Sequence, residues 1–97
     1  MAAGIMNDLL GVTEANTCAA SEQVTGVTLT RGTKTGAANI DIAAIGGDVY
    51  MNYGATVSAS ACVRVITSGT SYLVPIDADP YIIEKDAGAK WAASYWK

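Results

Sequence analysis

The chain alternates apolar and polar positions in short runs from residue 22 onward. Clusters of Gly, Pro, Asp and Ser separate the runs at intervals of about 8 to 12 residues, a spacing typical of an all-β domain. The predicted strands are 27–30, 40–42, 49–53, 62–67, 71–76, 81–85 and 90–96. We therefore predict an all-β fold, a small antiparallel β-sandwich or jelly-roll-like barrel of about seven strands.

The segments between these runs predict turns. Gly32–Gly36 and Ser68–Gly69 each lie between strand-like runs, so each predicts a hairpin. Asp86–Ala89 has the composition of a tight turn. Pro75 cannot donate a ladder hydrogen bond, so its run is predicted to be an edge strand, or to end in a bend at Asp77–Pro80.

Residues 1–21 show no sustained alternation and predict an extended N-terminal arm before a β domain at 22–97. Gly4 and Gly11 limit any helix in this segment to a turn or two. An ordered tail lying on its own domain is the alternative. One helical face of the arm would carry four apolar side chains, which we take as candidate partner-binding residues: Ile5, Met6, Leu9 and Leu10.

The sequence contains no histidine, which removes the commonest general base and the Ser–His and Cys–His nucleophile pairs. We predict a protein that is not an enzyme and uses no cofactor. A metal-dependent hydrolase built on Asp77, Asp79 and Glu84 is a weaker alternative, because nothing supplies a base of suitable pKa. The composition of Asp77–Pro80 is already explained by a turn.

The charge of the chain is low, with 15% charged residues and a net charge of −3. Soluble domains typically carry about 25% charged residues, and sparse charge favours self-association. The six Lys and Arg residues are scattered, so no nucleic-acid partner is expected. No apolar run is long enough to span a membrane, and no secretory signal is recognisable. Cys18 and Cys62 lack a metal-ligand spacing and are predicted to be free thiols.

Loop and aromatic residues supply the remaining candidates for binding. Arg31 and Lys34 lie in a polar, Gly-flanked segment, which is either a plain loop tip or a loop that contacts a partner. Trp91 and Tyr95 share one face of the last run, whereas Trp96 lies on the other. We therefore expect Trp91 in the core and Trp96 at an exposed or interface position.

Tyrosine and tryptophan side chains also suggest a second function. Tyr50, Tyr53 and Trp96 could form a flat platform for carbohydrate. A carbohydrate-binding module is thus an alternative to a structural role.

Four segments of the second half resemble short virion structural proteins of tailed bacteriophages: Gly47-Asp48-Val49-Tyr50, Val63-Arg64-Val65, Tyr72-Leu73-Val74-Pro75 and Ala93-Ser94-Tyr95-Trp96. In those proteins a strand is followed by a small-residue loop, a Pro-containing segment and terminal strands that end in an aromatic pair. The resemblance covers about half of the chain. It implies a β-sandwich module that is used many times on one particle.

The function implied by the resemblance is that of a capsid decoration or cement protein. Such a protein would bind the major capsid protein or other virion proteins as a homo-oligomer and stabilise the head. It would be located in the virion, which is assembled in the bacterial cytoplasm. A neck, tail or baseplate component is the alternative that the same resemblance leaves open. A carbohydrate-binding β-sandwich module on a tail appendage is another.

Overall fold

The computed structural model describes residues 9–24, 31–32, 38–54, 56–75, 78 and 80–97. These residues form two packed antiparallel sheets and contain no α-helix, so the predicted all-β sandwich is confirmed. The strands within the described part of the chain are β1 Leu9–Val12, β2 Asn16–Thr17, β3 Glu22–Gln23, β4 Arg31–Gly32, β5 Asn39–Ile45, β6 Val49–Tyr53, β7 Arg64–Ile66, β8 Ser71–Pro75, β9 Pro80–Glu84 and β10 Lys90–Trp96.

The first sheet has the strand order β4-β1-β10-β5-β8, and β2 also pairs with β10. The second sheet has the order β3-β9-β6-β7. The longest strands, β5 and β10, pair over their whole lengths from Lys90 opposite Ile45 to Trp96 opposite Asn39. This pair forms the centre of the first sheet and fixes the register of the strands beside it.

Six of the seven predicted strands are present as β5 to β10, and the run 27–30 lies outside the described residues. β8 is an edge strand of the first sheet, as Pro75 predicted. The hairpin predicted around Ser68–Gly69 is wrong. The chain does reverse there, with Gly69 at φ +83°, but β7 pairs with β6 while β8 pairs with β5 of the other sheet. The turn therefore connects the two layers, which lets Ile66 and Val74 reach the core from opposite sides.

The described part of the N-terminal segment belongs to the sandwich. β1 pairs with β10 and β4, and β2 pairs with the start of β10. Residues 9–17 thus match the alternative of a tail lying on its own domain, and Leu9 is in a strand rather than in a helical turn. The pairing has an irregularity between Leu9 and Gly11, which breaks the alternation that the sequence would otherwise show. Residues 1–8 lie outside the described part of the chain.

The core lies between the two sheets and uses alternate residues of the long strands. Ile40, Ile42 and Ala44 of β5 are buried while their neighbours are more exposed. β10 likewise buries Trp91, Ala93 and Tyr95. The second sheet contributes four large side chains to the same interior, namely Val49, Met51, Ile66 and Ile82. Burial of one face of each sheet accounts for the alternation seen in the sequence.

Two hydrogen bonds join the sheets through the aromatic residues of β10. The Trp91 Nε1–H donates to Oε1 of Glu22 at 2.9 Å. The Tyr95 hydroxyl donates to the carbonyl of Val24 at 2.8 Å. Both aromatic residues are fully buried, so these bonds satisfy polar groups that would otherwise be costly inside the core.

Asp48 connects three turns at one end of the sandwich. Its Oδ1 accepts a hydrogen bond from the Ser68 N–H at 2.9 Å, and its own N–H donates to Oδ2 of Asp86 at 2.8 Å. Its carbonyl accepts from the N–H groups of Lys85 and Asp86 at 2.9 and 3.2 Å. The carboxylates of Asp48 and Asp86 therefore hold the backbone of these turns in place, which gives both residues a structural role.

Gly47 lies under the β9–β10 turn with φ at +156°, a backbone conformation that residues with a side chain rarely adopt, and its neighbours would have to shift to admit a side chain. A Cβ at this position would lie 3.0 Å from the Cβ of Ala89 and 3.1 Å from the Cβ of Asp86. We expect Gly47→Ala to lower the free energy of unfolding by about 1–3 kcal/mol through overpacking, as measured by urea denaturation. Adding Ala89→Gly removes the shorter contact, so the double variant should lose less stability than the two single variants together. Strict additivity would contradict the proposed clash.

Candidate functional site

The outer face of the first sheet is the surface on the side away from the core. Its side chains come from β1, β10, β5 and β8 and lie in rows that the strand register fixes. We define this outer face by Leu9, Val12, Asp41, Ala43, Leu73, Ala92, Ser94 and Trp96. Among these eight side chains only Asp41 is charged, so this central part of the face is mainly apolar. The polar residues Asn39, Ser71 and Lys90 lie toward the ends of the same strands.

Large apolar side chains lie toward the two sides of the outer face. Leu73 on β8 is 54% exposed, and Leu9 on β1 is 47% exposed. Leu9 is directly opposite Trp96, and the half-buried indole of Trp96 donates from Nε1 to the Ser94 hydroxyl at 2.9 Å. That bond fixes the tryptophan ring beside Leu9.

A shallow depression of about 240 Å³ lies on the same face and is lined by residues 12–13 and by residues of β5 and β10. It forms because the central positions carry small residues, Ala43, Ala92 and Ser94, while larger residues surround them. Asp41 is the only charged residue in its lining. The depression has the size and polarity to accept an apolar side chain from a partner surface.

Thr13 fixes one wall of this depression. Its N–H donates to the Ala93 carbonyl at 2.8 Å, and its hydroxyl accepts from the Ala93 N–H at 2.9 Å. The side chain thus takes the place of a backbone acceptor where the chain leaves β1. Thr13 is only 8% exposed, and this pairing holds the wall in a single position.

A separate cluster closes the side of the sandwich where β7 and β8 approach each other. The Arg64 guanidinium lies 3.9 Å from the centre of the Tyr72 ring, a cation–π contact between the two sheets. Burial and a side-chain hydrogen bond with Tyr72 raise the pKa of Tyr53, and the nearby Arg64 partly offsets this. These contacts give the cluster a structural explanation.

The structure brings together two of the residues that the sequence singled out, Leu9 and Trp96. The backbone of Leu10 lies in the same strand as Leu9, while Ile5, Met6 and Lys34 are outside the described residues. The placement of Arg31 in a loop is wrong. Arg31–Gly32 is strand β4, because its backbone pairs with that of β1.

Sequence reasoning missed the other members of the outer face. Leu73 lies next to the buried Val74 in an alternating strand, so its outward direction could have been read from the pattern. Ala43 and Ala92 carry no such signal. Their side chains become part of one depression only because β5 and β10 pair in this register.

The aromatic platform proposed from the sequence does not form. Tyr50 and Tyr53 lie three residues apart in β6, so their side chains point to opposite faces of the second sheet. Trp96 belongs to the outer face of the first sheet. No single surface therefore presents all three rings to a sugar.

Acidic and thiol groups were the remaining candidates for chemistry. In the part of the chain that the structure describes, no group of three or more His, Cys, Asp or Glu residues could hold a metal ion. Asp77 and Asp79 lie outside that part, so the hydrolase alternative stays a prediction. Cys18 and Cys62 are both free, as predicted. Burial, followed by the carboxylates of Glu22 and Glu84, raises the pKa of Cys18 to about 11, which makes it a poor nucleophile.

Comparisons with protein-family models, curated proteins and solved structures found no match to this chain. Among the described residues, no helix is long and apolar enough to cross a membrane. The outer face of the first sheet is therefore the feature from which a function can be inferred.

Proposed function

We propose that this protein is a structural virion protein of a tailed bacteriophage, most specifically a capsid decoration or cement protein. In this proposal it binds the lattice of the major capsid protein and stabilises the head. It works as a homo-oligomer in the virion, after assembly in the bacterial cytoplasm, and it catalyses no reaction.

The observation that carries this proposal is the apolar outer face of the first sheet. Exposed apolar patches on small domains commonly mark sites of protein–protein interaction. Here Leu9 on β1, Trp96 on β10 and Leu73 on β8 are apolar side chains of one face. The depression on the same face is lined mainly by residues of β5 and β10, the two longest paired strands. Because these strands also carry the core, the face is rigid before it meets a partner, which limits the entropy lost on binding.

Docking through such a face would suit a protein that reinforces a shell. Burial of apolar surface contributes about 25 cal/mol per Å², and it requires no catalytic group. A low charge density also reduces repulsion between many copies that are held close together. Each copy would add a small contact, and the particle would gain the sum over all copies.

The test is binding of the purified protein to heads assembled from the major capsid protein of the same genome. We expect Ala92→Arg to abolish co-sedimentation with these heads, because a long charged side chain would fill the depression. The matched control is Ala59→Arg, which places the same side chain in the exposed turn at 58–61. The control should bind like the unmodified protein.

The test needs two measurements, one of folding and one of binding to heads. Circular dichroism must show that both variants remain folded, since surface substitutions usually change stability by no more than about 0.5 kcal/mol. Normal binding of a folded Ala92→Arg variant would reject the outer face as the docking surface. Failure of the unmodified protein to bind heads, together with binding to purified necks or tails, would move the proposed position on the particle.

A further inference from the structure

Strand β8 is an edge of the first sheet. Among the described strands it pairs with β5 alone, so no strand of the described part of the chain lies along the other side of its backbone. Proteins usually protect such edges with charged side chains, because an open edge can pair with another chain. The segment Ser71–Pro75 carries no charged residue, and its outward side chains are exposed.

The hydrogen-bond pattern identifies which backbone groups of β8 are open. The Ala44 N–H donates to the Thr70 carbonyl at 3.2 Å, just before β8 begins. Bonded and non-bonded pairs alternate along an antiparallel ladder, so Tyr72 and Val74 also direct their backbone groups toward β5. It follows that Ser71 and Leu73 direct their N–H and C=O groups away from the sheet.

We infer that two copies of this chain pair antiparallel through β8, with the two-fold axis at Leu73. In this register Leu73 lies opposite Leu73 of the second copy, and Ser71 lies opposite its Pro75. The first sheet of one copy and the first sheet of the other then form one continuous sheet. This inference rests on the proposed function, which includes a homo-oligomer. It goes further because it identifies the surface through which two copies pair.

The proposed register satisfies most of the open backbone groups. The two Leu73 residues exchange both N–H···O=C bonds across the axis, as opposed residues in a bonded pair do. Each Ser71 N–H can donate to the Pro75 carbonyl of the other copy. Pro75 has no N–H, so the Ser71 carbonyl is left to water. A shift of the pairing by one residue would place a residue whose N–H and C=O groups face the second copy opposite one whose groups face its own sheet. The two copies could then not exchange these hydrogen bonds.

Side-chain packing and charge also favour this pairing. The two Leu73 side chains, each 54% exposed in the single chain, would cover each other on the outer face. The nearest charged residue on that face is Asp41, one strand further in. The two Asp41 residues would be separated by three strand spacings, about 14 Å. This exceeds the screening length of about 8 Å at physiological ionic strength, so their repulsion is weak.

The pairing is weak because it buries a small area. A five-residue edge buries far less than the roughly 1,200–2,000 Å² of a stable interface. The dimer is therefore weak in dilute solution and becomes populated at high protein concentration or when copies are held on a lattice.

The test is disulfide trapping in a Cys62→Ser background, which leaves Cys18 buried. In the proposed dimer the two residue-73 Cα atoms lie about 5.5 Å apart, within disulfide range. Leu73→Cys should therefore form a disulfide-linked dimer under mild oxidation. Ser71→Cys is the matched control, because the two copies of that residue are four positions apart along the strands, about 13 Å. It should form no disulfide-linked dimer.

The second measurement is sedimentation velocity at millimolar protein concentration, on proteins that keep both native cysteines. The unmodified protein should dimerise, and Leu73→Lys should remain monomeric because like charges would face each other across the axis. Val63→Lys, which replaces a similarly exposed residue elsewhere on the molecule, should dimerise normally. Equal cross-linking of residues 71 and 73, or a monomer at every concentration, would overturn the inference. Head binding by such a monomer would overturn the β8 dimer alone and retain the proposed function.

Discussion

Replacing Trp91 with alanine is expected to lower the free energy of unfolding by about 3–5 kcal/mol, the usual cost of truncating a large buried aromatic residue. Trp91 is fully buried near the start of β10, and its indole N–H donates to Glu22 in the opposite sheet. The variant would create a cavity and leave that carboxylate without its partner. Since domains of this size have a total stability of only about 5–15 kcal/mol, the variant would lose a large share of it.

The second tryptophan provides the control for this experiment. Trp96 is half-buried on the outer face, and its indole N–H donates to the Ser94 hydroxyl of its own strand. Trp96→Ala should therefore cost about 1 kcal/mol or less. Urea unfolding followed by far-UV circular dichroism measures both variants, since the peptide signal does not depend on tryptophan. Equal losses for the two variants would contradict the assignment of Trp91 to the core.

The strands could be predicted from sequence where one face of each strand is buried. In β5 the buried residues Ile40 and Ile42 alternate with more exposed ones, and in β10 the buried Trp91 and Tyr95 do the same. An alternation of apolar and polar residues with a period of two follows directly from this difference between the faces. The first strands show no such alternation. The pairing of β1 has an irregularity between Leu9 and Gly11, and β1 lies next to the short edge strand β4, so its sequence pattern is indistinct.

The pairing of the strands could not be predicted from the same pattern. Turns such as Ser68–Gly69 indicate that the chain reverses, but they do not indicate whether the next strand joins the same sheet or the facing one. Here β7 and β8 join different sheets, because both Ile66 and Val74 then reach one core. Only packing of the whole chain decides between these outcomes.

The candidate site was predictable to the same limited extent. Trp96 could be placed on the outward side of β10 from its alternation with Tyr95. The depression beside it depends on Ala43 and Ala92 becoming neighbours across two strands that lie far apart in sequence. Small residues at such positions look unremarkable until the register is known.

Alkaline pH is expected to destabilise the protein through two buried acids, Cys18 and Tyr95. Burial, with a smaller effect of Glu22 and Glu84, raises the pKa of the Cys18 thiol from 9.0 to about 11. Burial raises the pKa of the Tyr95 hydroxyl from 10.0 to about 12. Both groups are nearly or fully inaccessible to solvent, so the folded state disfavours their charged forms.

The direction of the effect follows from proton binding. Between pH 9 and 11 the unfolded chain releases the Cys18 proton while the folded chain keeps it, so stability falls as the pH rises. Tyr95 acts in the same direction between pH 10 and 12. At pH 11 the loss relative to neutral pH should be roughly 2 kcal/mol from Cys18 and roughly 1 kcal/mol from Tyr95.

Urea denaturation from pH 7 to 11 on three proteins measures these contributions separately. Cys18→Ala should flatten the decline between pH 9 and 11, and Tyr95→Phe should flatten it above pH 10. Each variant also loses packing or the hydrogen bond to Val24, so the comparison uses the change with pH and takes each protein at pH 7 as its own baseline. An unchanged slope in Cys18→Ala would mean that this thiol ionises in the folded protein as readily as in the unfolded chain. The thiol would then lie in contact with water and not in the core between the two sheets.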